Sequence, residues 1–161
     1  MTHYAFVPSD KTIVKDGFGY IIPSDDTWLN DYSSIHAIQI HDSSGEVETV
    51  SGENRSATAE EIKAVKDKWT ALKAVDDKAN DDYNNSWDRV RTERSFLLAD
   101  TDWTVMPDSA LTSEKQEEFK KYRTDLRNLP QTYSSNNPKD VTIQDGHVSV
   151  SGSQKITKPS L

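Results

Sequence analysis

Four histidines, His3, His36, His41 and His147, and 27 acidic side chains are the residues of this 161-residue chain that could hold a metal or move a proton. Their spacing assembles neither chemistry. His36 and His41 are five apart, which on a regular strand sends their side chains to opposite faces. The pairs Asp76-Asp77 and Asp81-Asp82 lack the glycine and alternating ligands of a calcium loop and read as a solvated helix face. With no cysteine there is no thiolate zinc site and no thiol nucleophile. Neither a phosphate-cradling glycine loop nor a serine elbow nor a zinc-binding helix motif is present, and no feature selects two acids as a glycosidase pair. The chain is therefore expected not to be an enzyme and to need no cofactor or metal.

The arginines and aromatics are more specific. Arg91 and Arg94 share a helical stripe with Trp87 and Leu98, while Arg123 and Arg127 lie four apart beside the apolar positions Phe119, Tyr122, Leu126 and Leu129. Between these stripes lies "ADTDWTVMPDSAL", with Asp100, Asp102 and Asp108 as partners for the guanidinium groups and Trp103 and Met106 as plugs for the open end of a helical hairpin. Two uses of the arginines follow: tying the hairpin shut, or forming a partner-binding patch.

These residues need elements to place them. Residues 1–57 read as a small β module, with "HYAFV", "TIVK", "FGYII", "IHAIQI" and "EVETV" as strands and His41 to Gly45 as a hairpin turn. At Thr58 the period changes. Thr58 and Glu61 form a capping box, and no Pro or Gly follows as far as Leu98, which predicts a long helix over 58–99. Its seam carries Ile62, Val65, Trp69, Leu72, Tyr83 and Val90 at heptad-like spacing, interrupted by Asp76 and Ala79. About 40 helical residues would span roughly 60 Å, more than the β module can cover, so either a second copy in a coiled coil or the chain's own second helix must bury the remainder. The central "VDDKANDDYNN" has low helix propensity and is expected to fray or to break the helix in two.

The Trp loop and second helix occupy 100–130, with a capping box at Ser113 and Gln116 and a stop at Pro130. Residues 131–161 are a linker and a β hairpin turning at Asp145-Gly146. An isolated hairpin is marginal in water and must dock on its own chain or on a neighbour. The fold class is α+β: a small N-terminal β module, a long helix able to form a coiled coil, a C-terminal antiparallel helical hairpin and a terminal β hairpin.

Composition narrows the partners. A net charge of −8 and mean hydropathy of −0.80 disfavour nucleic acid and anionic membrane surfaces, both of which require clustered Lys and Arg. No apolar run approaches the roughly 20 residues that cross a bilayer, and the start lacks the basic flank and apolar run of a secretory signal. A soluble protein made in a cytoplasm, with protein partners, is expected.

The segment "SWDRVRTERSFLLADTDWTVMPDSALTSEKQEEFKKYRTDLRNLP" resembles the C-terminal signature of phage tail assembly chaperone proteins. That signature has an Arg-rich helix ending in "LLA", then "DWT", then a helix carrying "YR..LR..P". Trp87, Arg91, Arg94, Leu97, Leu98, Asp102, Trp103, Thr104, Asp108, Leu111, Tyr122, Arg123, Leu126, Arg127 and Pro130 carry it. Upstream, "IHAIQIHDSSGEVE" looks like the family's N-terminal element, so the resemblance covers roughly 35–130. It implies a tail or tail-fibre assembly factor that binds tail or fibre subunits in the host cytoplasm, with no catalytic residue or cofactor. The alternative is a structural component of the virion tail, a dimer or trimer joined through the long helix. Phe119 stands where the family has Trp, and the β hairpin replaces a Trp-Pro ending, which suits strand addition to a neighbouring subunit.

Overall fold

The computed structural model describes residues 1–161. Two compact units divide the chain, Met1–Lys78 and Ala79–Leu161.

The first unit is an antiparallel six-stranded sheet packed on a helix. Its strands are β1 (His3–Val7), β2 (Thr12–Lys15), β3 (Phe18–Ile21), β4 (Ile35–His41), β5 (Ser44–Thr49) and β6 (Asn54–Ser56), in the order β3-β2-β1-β4-β5-β6. Alternation places one row of apolar side chains on a single face, because Phe6 pairs with Ile13 and Ile38, Ile13 with Tyr20, and Ile38 with Val47. Helix α1 (Ala59–Asn84) covers this face with Val65 and Trp69, both buried, and with Ile62 and Leu72 packed beside them. Trp69 meets Tyr4 edge-on at 6.2 Å and Tyr20 at 5.7 Å. A 3₁₀ turn, Thr27–Tyr32, supplies Trp28 and Tyr32 against Phe6 at 4.8 and 5.1 Å.

The start of α1 has the reciprocal bonds of a capping box: the Glu61 amide donates to Thr58 Oγ1 at 3.1 Å, and the Thr58 amide donates to Glu61 Oε2 at 2.8 Å. The predicted seam divides in use. Ile62, Val65, Trp69 and Leu72 face the sheet and not a coiled coil, so the β module covers more of the helix than its size suggested. Residues 74–85, including Tyr83, are exposed throughout, as an acidic solvated face requires. The long helix is two helices. α1 ends at Asn84, and α2 (Trp87–Asp100) begins after Ser86, whose extended backbone and side chain cap it by accepting from the Arg89 amide at 3.2 Å.

The second unit joins α2 and α3 (Ser113–Thr132) to a three-stranded antiparallel sheet of β7 (Val141–Gln144), β8 (His147–Val150) and β9 (Ser153–Ile156). Val90 from α2, Phe119, Tyr122, Leu126 and Leu129 from α3, and Val141, Val148, Val150 and Ile156 from the strands form one core. The terminal hairpin therefore docks on its own chain, which removes the reason to reserve it for a neighbour.

Two helix limits differ from expectation. Thr112, not Ser113, caps α3, accepting from the Lys115 amide at 3.3 Å. Pro130 lies inside α3, which runs on to Thr132. In the last turn the proline removes only one ladder bond near an end already short of partners, so the helix continues past it.

Candidate partner-binding site

Helix α3 places its apolar residues at 119, 122, 126 and 129, one face of a 3.6-residue period, and Arg123 falls on that buried face. Arg123 is 4% exposed. Its Nη1 donates to Leu98 O at 2.5 Å and to Thr101 Oγ1 at 2.9 Å, and its Nη2 is ion-paired with Asp102. Leu98 O lies in the last turn of α2, where it otherwise accepts only the longer 3.3 Å bonds of the Thr101 amide and hydroxyl, and a cation there also meets the negative end of the helix dipole. Thr101 and Thr104 complete the corner: Thr101 Oγ1 donates to Leu97 O at 2.7 Å, and Thr104 Oγ1 donates to Thr101 O at 2.7 Å. Both threonines are 1% exposed. A buried guanidinium thus fixes the loop that carries Trp103.

The other predicted arginines are placed differently. Arg94 Nη1 donates to the carbonyl of Arg127 at 3.4 Å, so this contact is between backbone and side chain and not with a loop acid. The Arg127 side chain is exposed. Arg91 pairs with Asp88 within its own helix at 2.8 Å, on the surface. Asp100 pairs with Lys158 at 2.6 Å, and Asp108 is exposed in the loop. Of the predicted arginines, Arg123 alone makes an ion pair with a loop acid. Trp87, Leu97 and Leu98 pack at the edge of the core, and Phe119, Tyr122 and Val90 lie within it.

Two contributors, Arg89 and Thr101, lie outside the residues predicted from the sequence. Arg89 Nη2 donates to Pro138 O at 2.9 Å and Val141 O at 2.8 Å while its Nη1 pairs with Glu93, joining α2 to the start of β7. The carbonyl partners carry no side-chain signal, so nothing in the sequence announced this bond. Thr101 stands beside Thr104, one of the residues that carry the family resemblance, and becomes an acceptor for Arg123 only because α2 stops next to it. Tyr122 was predicted as part of the interface, and its hydroxyl donates to Gly146 O at 2.7 Å in the β7–β8 turn. Burial, reinforced by the charge of Asp100, pushes the Tyr122 hydroxyl up to about 12, so it stays a donor at neutral pH.

Trp103 and Met106 do not plug the hairpin. They are 44% and 51% exposed, in and just after a 3₁₀ turn, Asp102–Val105, and Phe96 on α2 is 72% exposed. Phe96 sits in an open hollow with Arg91, Thr92, Ser95 and Ala99. A second hollow brings Trp103 beside Asp100, Phe119 and Lys158. Exposed aromatic side chains held on rigid elements are suited to recognising another protein surface. His3 and His41 stack on each other at 4.5 Å and His147 Nδ1 accepts from the Lys158 amide. No group of three or more His, Asp or Glu residues converges to hold a metal ion, and no helix is long and apolar enough to cross a membrane.

The segment holding the Arg123 corner is the part of the chain with recognisable relatives. Residues 87–142 match the family model described as phage tail assembly chaperone protein. The match runs from the first residue of α2 through α3 into the start of β7, and the upstream element over 35–48 lies outside it. No curated protein and no solved structure matches the chain.

Proposed function

We propose that the protein is a non-enzymatic phage tail or tail-fibre assembly factor that acts in the host cytoplasm and binds tail or fibre subunits through the exposed side chains of Phe96, Trp103 and Met106. One observation carries this reading: the family-matched segment holds a buried Arg123 corner whose evident work is to fix a loop with large apolar side chains left in solvent. Such a surface costs solubility unless a partner covers it for part of the protein's life. The alternative, a structural component of the mature tail, drew on a terminal hairpin free to join a neighbour and on a coiled-coil seam. The hairpin is committed to the core of its own unit, and the seam from Ile62 to Leu72 is committed to the sheet.

Quantitative mass spectrometry of gradient-purified virions beside infected-cell lysate tests the proposal. Abundance in the lysate with absence from the particle is the expected result. Stoichiometric recovery in the particle would contradict an assembly role and make the chain a virion component.

A further inference from the structure

The two edges of the six-stranded sheet are treated differently. The β6 edge is polar: Asn54 bonds to Glu46, and Arg55 is held by Glu61. Charged and polar edges of this kind discourage strand addition. The β3 edge has no such guard. Its four residues, Phe18 to Ile21, include no charge and no proline, and Phe18 and Ile21 are 75% and 76% exposed.

The backbone at this edge is ready to pair. β2 and β3 turn through Asp16 and Gly17, whose φ values of 49° and 87° are those of a tight two-residue hairpin. Such a turn is flanked by a hydrogen-bonded pair, here Lys15 with Phe18, and alternation makes Ile13 with Tyr20 the next. The Ile22 amide continues the series by donating to Lys11 O at 2.7 Å. The amides and carbonyls of Gly19 and Ile21 therefore point away from β2, where the sheet has no further strand.

We propose that the β3 edge is a strand-addition site for an extended segment of a partner protein, one that alternates apolar residues and is flanked by basic ones. Pairing with Gly19 and Ile21 supplies the backbone bonds, and alternate side chains of the incoming strand lie beside Phe18 on one face and Ile21 on the other. Charge selects the flanks: the exposed Asp16 lies in the turn before β3 and the exposed Asp25 four residues after it, the neighbouring Lys15 is held over the Tyr4 and Trp69 rings and Lys11 bonds to Ser24, and the unit holds fourteen Asp and Glu against eight Lys and Arg. A second copy of the chain would bring the same acids to the same edge. Its pairing would also be limited to four residues on each side, a ribbon only about 13 Å long, whereas a stable dimer buries roughly 1,200 Å² or more. The site lies outside the family-matched residues and stands independently of the tail-assembly reading.

The test uses the full chain and a displayed library of random short peptides, with the Ile21→Lys protein as counter-selection. Enriched peptides should alternate apolar residues between basic flanks and slow exchange of the Gly19 and Ile21 amides at least about tenfold. Ile21→Lys and, separately, Phe18→Lys should weaken their binding by at least about tenfold with the melting temperature unchanged, while Ile21→Val retains it. Three results would overturn the proposal: no enrichment over the counter-selected pool, binding that leaves those amides exchanging freely, or a concentration-dependent dimer abolished by Ile21→Lys, which would give the edge to a second copy.

Discussion

At the scale of single residues, Arg123 decides how the family-matched segment is held. A buried guanidinium is stable only when its donors are met, and here Leu98 O, Thr101 Oγ1 and Asp102 meet the two Nη groups while Nε has no hydrogen-bond partner. Asp102 is mostly exposed, so water weakens its share, and the buried carbonyl and hydroxyl bonds carry more of the gain. Arg123→Met keeps the apolar stem and removes the donors. It should cost about 2 kcal/mol, seen as a lower midpoint in urea unfolding; an unchanged midpoint would mean that the corner contributes nothing net. The spacing of Arg123 beside an apolar face was legible in the sequence, as was an acid of the loop as its partner. Two of its three acceptors were not, because a carbonyl at a helix end leaves no trace in the residue types and Thr101 becomes an acceptor only once α2 stops beside it. The same limit explains Arg94 and Arg127, whose contact runs through a backbone oxygen.

At the scale of elements, local signals were read well where the turn or cap chemistry lies in adjacent residues. The Thr58–Glu61 box is one case, and it supports a pH prediction. The Arg55 guanidinium, donating to both Glu61 oxygens at 2.6 and 2.9 Å, and then the Thr58 amide hold the Glu61 carboxyl at about 2, against an ordinary 4.5. A carboxyl depressed in the fold contributes stability above its unfolded value and loses it as pH falls through its folded value. The melting-temperature gap between wild type and Glu61→Gln should therefore be full at pH 7 and close between about 4.5 and 2; a gap of constant size would show that charge plays no part. A break was expected within 75–85, but α1 holds through Asn84 and the chain breaks only at the end of that stretch, where Ser86 caps α2. β9 was missed although both residues of its turn, Ser151-Gly152, have positive φ like Asp145-Gly146, because Ser is a weaker marker of that turn than Asp. The polar strand β6 carries no apolar alternation at all and owes its place to pairing with β5. Pro130 misled in the other direction, since a proline in a last turn costs the helix little.

At the scale of the whole molecule, the composition that pointed away from nucleic acid and membranes is distributed between two units with separate cores. A weak point was legible in Asp76 and Ala79, which interrupt the periodic stripe beside the Lys78–Ala79 boundary, but the two separate cores were not, because only contact with the sheet ends the first one at Leu72. What the units leave in solvent is more informative than what they bury. Phe96 and Trp103 lie in a segment that matches a tail assembly chaperone model, and neither is needed to fill the core. The decisive measurement is recovery of identified tail and fibre subunits on the tagged full chain from infected cells, comparing wild type with Phe96→Asp combined with Trp103→Asp. Loss of about 2 kcal/mol or more at such anchors corresponds to roughly a thirtyfold drop in affinity. A tail or fibre subunit recovered with the wild type and depleted with the double variant, at an unchanged melting temperature, is the predicted result. Recovery of the same subunit at wild-type levels with both aromatics removed would contradict the assignment of these side chains to subunit binding.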